Sequence, residues 1–170
     1  TGEFFTKVPV TLKLGCLSFI VSSIVGISLG ILSAVRQYSF ADTFSTITAI
    51  LFASIPGFFL GMVLIYVFGL KLGLLPTHGI AEWRSYILPV LTLAAGGSAQ
   101  LMRLTRTTML EAIRQDFMRT AKAKGCTPAC MLWKHALKNA LLPVLTVMGT
   151  SFGSILGGAV ICETVFAIPG

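Results

Sequence analysis

One short motif in the sequence has the spacing of a catalytic serine. Residues 149–153 are Gly-Thr-Ser-Phe-Gly and match the pattern G-x-S-x-G, in which a serine nucleophile sits on a sharp strand-to-helix turn. Such a serine needs a base within hydrogen-bond reach. Ser151 lies inside a long apolar run, and His78 and His135 fall in two separate polar segments. Small residues that let helices pack explain the motif better, and an intramembrane serine hydrolase is a remote alternative.

Two cysteines and a histidine form the other candidate for chemistry. Cys126 and Cys130 have C-x3-C spacing, and His135 follows. Structural zinc sites use about four ligands, so this set is one short and we expect no metal here. His78 stands alone and is expected to be a solvent-exposed loop residue. The phosphate-binding pattern G-x4-G-K-[ST] does not occur in the sequence, so we expect no ATP hydrolysis by this chain itself.

The composition is that of a membrane protein. Of the 170 residues, 55% are hydrophobic and 11% are charged, with a mean hydropathy of +0.87. Soluble domains carry roughly 25% charged residues, so a water-soluble enzyme is improbable, and a disordered chain would hold far fewer apolar residues.

Four apolar segments are long enough to cross a bilayer as helices, which takes roughly 17–25 residues. They are 12–35, 44–70, 86–102 and 140–162. Since lipid offers no hydrogen-bond partner to the backbone, runs of this length must be helical. The sequence therefore predicts an all-α, polytopic transmembrane helix bundle forming one domain over 1–170. The sequence starts at a threonine and stops just after an apolar run, so we expect it to be an internal fragment of a longer membrane protein.

Basic residues are concentrated in one segment. The net charge is +7, and residues 103–139 hold eight of the thirteen Lys and Arg residues beside two acidic ones. Because positive charge is retained on the cytoplasmic side, this places 103–139 in the cytoplasm and 71–85 outside. The flanking apolar segments argue against nucleic acid as a partner and favour contact with membrane lipid.

Glycines recur at the four-residue spacing that lets membrane helices approach closely. These are Gly26 and Gly30, Gly57 and Gly61, and Gly149, Gly153 and Gly157. The pair Pro56-Gly57 lies inside the second apolar segment, where proline removes a backbone donor, so we expect a kink or a broken helix that lines a pathway.

The segment 103–139 is too long for a simple connection. Its first half repeats apolar residues at three- and four-residue intervals, which predicts a helix. Those residues are Leu110, Ile113, Phe117 and Ala121. Gly125 then interrupts the pattern, and Thr127-Pro128 favours the cap and first turn of a second helix. Such a pair suits either a membrane scaffold or receptor that rests on anionic lipid, or a knob that docks into a partner protein.

The same segment resembles a known motif. Residues 119–125 are Arg-Thr-Ala-Lys-Ala-Lys-Gly, and residues 134–143 are Lys-His-Ala-Leu-Lys-Asn-Ala-Leu-Leu-Pro. Together they resemble the EAA loop of the membrane subunits of bacterial binding-protein-dependent ABC importers, in the form typical of the dipeptide, oligopeptide and nickel branch. Further pieces agree in order, namely R-T-x-M-L-E at 106–111, L-P-T-x-G at 75–79 and E-T-V-F-x-I-P-G at 163–170. The family motif itself begins Glu-Ala-Ala, where this sequence has Arg-Thr-Ala.

The resemblance implies a type I ABC importer permease fold, of which this piece would hold four spans and a cytoplasmic helix-turn-helix coupling loop. Family members lie in the bacterial inner membrane and move peptides or nickel chelates inward. They pair with a second permease subunit, usually a paralogue in this branch, two cytoplasmic ATPase subunits and an external substrate-binding protein. ATP and Mg²⁺ would bind to the ATPases, so no cofactor is expected on this chain.

The resemblance also assigns residues to the contact with the ATPase. The helix that ends near Gly125 would be the coupling helix, and its docking residues would be Arg119, Thr120, Ala121, Lys122, Ala123, Lys124 and Gly125. Ala121 is expected to be a small contact at the docking surface. Glu111 and Asp116 would pair either with basic groups of the ATPase or with local arginines. The substrate path is expected along 44–70, without named ligand residues.

Overall fold

The computed structural model describes the backbone of residues 2–79 and 82–169, and side chains within these ranges from Lys7 onward. Every regular element in this part of the chain is helical, which confirms the predicted all-α class. The α-helices are α1 (Gly2–Val35), α2 (Phe40–Ser54), α3 (Gly57–Leu64), α4 (Ile87–Ile113), α5 (Asp116–Ala123), α6 (Pro128–Cys130) and α7 (Leu137–Val165). Two π-helical segments, Ile65–Lys71 and Met131–Ala136, continue α3 and α6, and a 3-10 turn, Trp83–Tyr86, precedes α4.

Within the described residues, three helices are long and apolar enough to cross a membrane: Lys7–Val35, Trp83–Ile113 and Pro128–Val165. They contain the predicted spans 12–35, 86–102 and 140–162, and each extends beyond its predicted span. Hydropathy falls after residue 102, yet the backbone ladder of α4 continues for three more turns to Ile113. Charged side chains at the end of a span do not stop a helix, because long stems let their heads reach water or a partner.

The second predicted span is broken into two helices. α2 and the helix Gly57–Lys71 meet at an angle of 103°. Ile55, which precedes Pro56, has the extended backbone (φ −82°, ψ 124°) that a following proline favours. The predicted kink at Pro56 is confirmed, and it is a sharp break.

α4 lies at the centre of the bundle and contacts α1, α2, α3 and α7. Its close packing on α1 depends on two glycines. A Cβ atom on Gly26 would lie 2.8 Å from Leu101 Cβ, and one on Gly30 would lie 2.6 Å from Thr105 Cβ. This confirms the predicted approach at the first glycine pair. Gly149, Gly153 and Gly157 instead face open space, so nothing in the described chain packs on them.

The outer surface is apolar, as expected for lipid or for another subunit. Ile24 and Val160 are 63% and 59% exposed. Aromatic side chains mark the ends of the bundle, with Tyr38 and Phe40 at the α1–α2 turn and Trp83 before α4, all more than 70% exposed. Aromatic residues concentrate at the two membrane–water interfaces, so these positions fit the limits of the bilayer.

Candidate docking site on helix α5

Helix α5 is separated from α4 by a sharp change of direction. α4 ends at Ile113, Arg114 follows it, and Gln115 adopts an extended backbone (φ −72°, ψ 154°) before α5 begins. The continuous helix predicted through Leu110 and Ala121 is therefore wrong. The break shifts the helical phase, so Met118 is buried and Phe117, which was expected on the apolar face, is 36% exposed.

The inner face of α5 is anchored in the chain's own core. Met118 is 6% exposed and belongs to a buried cluster with Met109 of α4. The remaining members are small and come from α1, α4, the π-helical segment and α7: Ala34, Ala112, Ala136 and Ala140. Because these neighbours are alanines, α5 lies close against the helices beneath it.

Ala121 belongs to the same inner face. It is 6% exposed and points into the chain, so its methyl group is not available as a contact on an outer docking surface. The expectation of a direct small contact at Ala121 is corrected by this burial. Its size controls instead how closely α5 packs on the bundle.

The outer face of α5 is polar and mostly basic. Apart from Phe117, its exposed residues are Asp116, Arg119, Thr120, Lys122 and Ala123, followed by Lys124 and Gly125 in the turn. Asp116 Oδ1 lies 3.7 Å from Arg119 Nη1, and these side chains are 96% and 86% exposed. An ion pair so exposed adds little stability. Asp116 and Arg119 can therefore leave this pair and bind charged groups of a partner protein.

Glu111 lies in a cleft beside α5 and not in an ion pair of the described chain. The cleft has a volume of about 210 Å³ and is also lined by Gln115, Phe117 and Asn139. It combines a carboxylate, two amides and a half-exposed aromatic ring at the foot of α5. Sequence reasoning did not single out Phe117 or Asn139 as site residues, although Asn139 lies within the recognised motif.

The predicted glycine in the turn after α5 has a left-handed backbone conformation. Gly125 has φ +82°, a left-handed conformation that residues with a Cβ rarely adopt. The N–H of Cys126 donates to the Ala121 carbonyl at 3.1 Å, which closes the helix end. The Thr127 side chain accepts from the Cys130 N–H at 3.3 Å, and Pro128 follows it in the first turn. The helix–glycine turn–helix prediction is confirmed at these residues.

The two cysteines and the histidine of this segment lie together. Cys126 Sγ is 3.9 Å from His135 Nε2, and the ligand atoms of Cys126, Cys130 and His135 all lie within 4.8 Å of one another. A hydrogen bond with Cys130, together with burial, raises the pKa of the Cys126 thiol, while nearby Lys134 and Lys124 oppose the shift. The sequence offers three ligands here, one fewer than a structural zinc site uses, and the structure brings all three together.

A buried ion pair ties the bundle together next to this site. The Asp42 carboxylate at the start of α2 accepts from Arg106 of α4, from the Ser33 hydroxyl of α1 and from the Tyr38 N–H. From the sequence, Arg106 was one of several cytoplasmic charges and the first residue of the R-T-x-M-L-E piece, without a predicted partner. An acidic residue at the head of a long apolar helix was the available signal, because such a residue needs a partner.

Ser151 does not occupy a nucleophile turn. It lies within the unbroken helix α7 and is 8% exposed, whereas the G-x-S-x-G pattern needs a strand-to-helix turn. Ser151 lines a cleft of about 290 Å³ beside the α2–α3 break, with Gln100, Thr92 and Ser154 as further polar residues. Polar side chains that face a cavity within a bundle are typical of a pathway.

Comparisons with known proteins agree with this architecture. The family described as binding-protein-dependent transport system inner membrane component matches residues 26–170. The glutathione transport system permease protein GsiC of Escherichia coli K12 is 42% identical over 168 residues, which cover 99% of this chain and 55% of that protein. The dipeptide transport system permease protein DppB of Bacillus subtilis 168 is 44% identical over 165 residues, which cover 95% of this chain and 53% of that protein. The chain thus spans about half the length of these curated relatives.

A solved structure shares the fold. An amino acid ABC transporter crystallised with histidines superimposes with a TM-score of 0.77, and the match covers 97% of this chain and 72% of that one. Sequence identity is 19%, so this likeness speaks for the fold alone.

Proposed function

We propose that this chain, which belongs to the family of binding-protein-dependent transport system inner membrane components, forms part of the membrane pathway of an importer for short peptides. In that role α5 docks on a separate cytoplasmic ATPase. Like its family, the chain is a multi-pass component of the inner membrane. ATP hydrolysis would take place on the ATPase subunits, so this subunit would itself be a permease and no enzyme.

The observation that carries the proposal is the two-faced burial of α5. Met118 and Ala121 fix its inner face in the bundle, while Arg119 and Lys122 project from its outer face. A helix that served only to bind lipid would gain most by turning its apolar side chains toward the bilayer. Here α5 packs on the π-helical segment before α7, and Met118 is buried in a cluster that includes Met109 of α4. A fixed knob with a free polar face suits docking into a groove of a partner protein.

The pathway would pass beside the break between α2 and α3. The cleft at this break places Gln100, Ser151 and Ser154 among otherwise apolar helices. These groups can hydrogen-bond to a peptide backbone without binding it tightly, as a permeation path requires. The cleft also lies between α2–α3 on one side and α4 and α7 on the other, so relative movement of these helices would open or close it.

The substrate class follows the relatives named above, which carry glutathione and dipeptides. We therefore favour short peptides over the nickel chelates that the sequence resemblance also allowed. The further partners in this proposal are a second permease subunit that completes the path, two ATPase subunits and an external substrate-binding protein.

Co-purification with the ATPases encoded beside the full-length protein tests the docking role. We expect the wild type to retain ATPase and the charge reversals Arg119→Glu and Lys122→Glu each to reduce the retained amount at least about tenfold, because charge complementarity is turned into repulsion. Arg84→Glu, a reversal in the outer loop, is the matched control and should retain wild-type amounts.

Two results would contradict the proposal. One is a wild-type protein that holds no ATPase in the presence of its second permease subunit. The other is equal retention by the α5 reversals and the Arg84 control. Binding of the reversed variants to anionic vesicles is measured in parallel. Variants that lose vesicle binding but retain as much ATPase as the control would indicate a lipid-binding scaffold, whereas variants that lose ATPase indicate a docking helix.

A further inference from the structure

We propose that Cys126, Cys130 and His135 form a binding site for one Zn²⁺ ion at the turn that follows α5. This site is independent of the docking role proposed above, since it can be measured on the permease chain without any ATPase. It would be a metal site in the coupling segment itself.

The local backbone brings the three side chains to one point. The left-handed turn at Gly125 ends α5, and the Cys126 N–H closes it by donating to the Ala121 carbonyl at 3.1 Å. Cys130 lies one turn further on, in the first turn capped by Thr127. Both thiols therefore meet at the same helix end.

The π-helical segment after α6 completes the set. In an α-helix, a residue five positions after Cys130 would lie about 140° around the axis and point away from it. In a π-helix, hydrogen bonds reach back five residues, so the fifth residue lies nearly above the first. The Leu137 N–H donates to the Leu132 carbonyl in this pattern. The wider turn is what returns His135 to the face that carries Cys130.

The distances suit a metal of this size. With Zn–S bonds of about 2.3 Å and Zn–N bonds of about 2.05 Å, sulfur and nitrogen in a tetrahedral site lie about 3.6 Å apart. The 3.9 Å between Cys126 Sγ and His135 Nε2 is within a few tenths of this value, and the three ligand atoms lie within 4.8 Å of one another. All three side chains are half-buried, so a fourth coordination position remains open to water.

The chemistry of the donors selects the ion. Two thiolates and one imidazole favour Zn²⁺ over Mg²⁺ or Ca²⁺, which take oxygen ligands. The charge distribution places the segment in the cytoplasm, where thiols stay reduced and close cysteines bind metal more often than they form disulfides. A bound ion would join the turn after α5 to the helix that leads into the membrane.

Metal titration of the full-length protein, purified without a polyhistidine tag and stripped with a chelator, tests the site. Competition with a chromophoric zinc chelator should give one Zn²⁺ per chain. Cys126→Ser and Cys130→Ser should each weaken binding at least about 100-fold, since even the loss of a supporting outer group costs 10–100-fold. Cys16→Ser and His78→Gln, which remove a thiol and an imidazole elsewhere, are the matched controls and should bind as the wild type does.

Cobalt substitution gives a spectroscopic test of the same site. In the unmodified protein, thiolate-to-cobalt charge-transfer absorption should appear with one Co²⁺ per chain, and it should be weaker in either serine variant, which has lost one of the two thiolates. The proposal is overturned if no ion binds, if binding survives both serine substitutions, or if protein purified without oxygen lacks two titratable thiols because Cys126 and Cys130 have formed a disulfide.

Discussion

Arg106 grips Asp42 with two hydrogen bonds, from Nε to Oδ1 at 2.7 Å and from Nη2 to Oδ2 at 2.9 Å. The two residues are 64 positions apart in the sequence and join α4 to the first turn of α2. Their side chains are 25% and 5% exposed. Ser33 of α1 donates to the same carboxylate, so three helices meet at one charge.

Breaking this pair should destabilise the protein strongly. Arg106→Gln leaves the Asp42 carboxylate buried without its counter-charge, which costs about 3–5 kcal/mol in comparable buried pairs. Adding Asp42→Asn should recover part of the loss, because the double variant buries no charge. Thermal unfolding of the full-length protein in detergent measures both effects. Arg103→Gln, an exposed position on the same helix, is the control, and equal stability of the two single variants would contradict a structural pair.

The contact between α1 and α4 should not tolerate a methyl group at Gly30. An alanine Cβ there would lie 2.6 Å from Thr105 Cβ and 2.8 Å from the Met102 carbonyl oxygen. Overpacking of this kind costs about 1–3 kcal/mol, so Gly30→Ala should lower the midpoint of thermal unfolding. Gly96→Ala places its methyl group in open space and should be neutral or slightly stabilising. A Gly30→Ala variant as stable as Gly96→Ala would rule out this close approach.

Gly125 should be replaceable only by residues that accept a left-handed backbone. A Cβ there meets nothing within 4 Å, so the cost arises from φ +82° and not from crowding. Gly125→Val should destabilise the turn by about 1–2 kcal/mol and Gly125→Asn by less. Hydrogen exchange at the turn amides reports the effect. Ala123→Val introduces the same side chain at an exposed helical position, and faster exchange there than in Gly125→Val would contradict the backbone argument.

Ala121 and Ala123 should respond differently to enlargement. Ala121→Leu overfills a buried site and should lower the free energy of unfolding by about 1–3 kcal/mol. The amount of ATPase that the variant retains should fall as well. Ala123→Leu extends from the exposed face and should leave the stability of the subunit unchanged. Stability and ATPase co-purification are measured on both variants. Loss of ATPase by Ala121→Leu at full stability would restore a direct contact at this residue.

The proposed pathway can be tested by thiol labelling. In a full-length protein from which every native cysteine has been removed, Ser154→Cys should react with a hydrophilic thiol reagent, because Ser154 lines the polar cleft beside the α2–α3 break. Val160→Cys, on the apolar outer surface of the same helix, should react at least about tenfold more slowly, because the thiolate that reacts is disfavoured in lipid. Equal labelling at both positions would place the cleft outside the water-filled path.

Much of the fold could be predicted because its signals are local. The apolar segments were long enough to identify the spans, and Pro56 and Gly125 each impose a backbone conformation wherever they occur. The cap formed by Thr127 and Pro128 likewise depends on neighbours in sequence. These features need no knowledge of what packs against them.

The errors of the sequence prediction arise where distant parts meet. The phase of α5 depends on a break at Gln115 that the apolar pattern does not reveal. Phe117, which was expected on the apolar face, is therefore partly exposed, and Met118 is buried instead. The inward position of Ala121 depends on the helices beneath it. The pairing of Asp42 with Arg106 and the meeting of His135 with Cys126 require tertiary geometry, the second through a π-helical turn that spacing alone does not predict.

The helix Pro128–Val165 has a mechanical consequence. At 1.5 Å per residue its 38 residues form a rod about 57 Å long. One end is joined to the Gly125 turn, and beyond the other end the Phe166 carbonyl accepts a hydrogen bond from the Gly79 N–H of the opposite loop. A displacement of α5 would thus be transmitted through this one helix, acting as a lever, to the far side of the bilayer. Pro143 and the π-helical segment are the points at which this lever can flex.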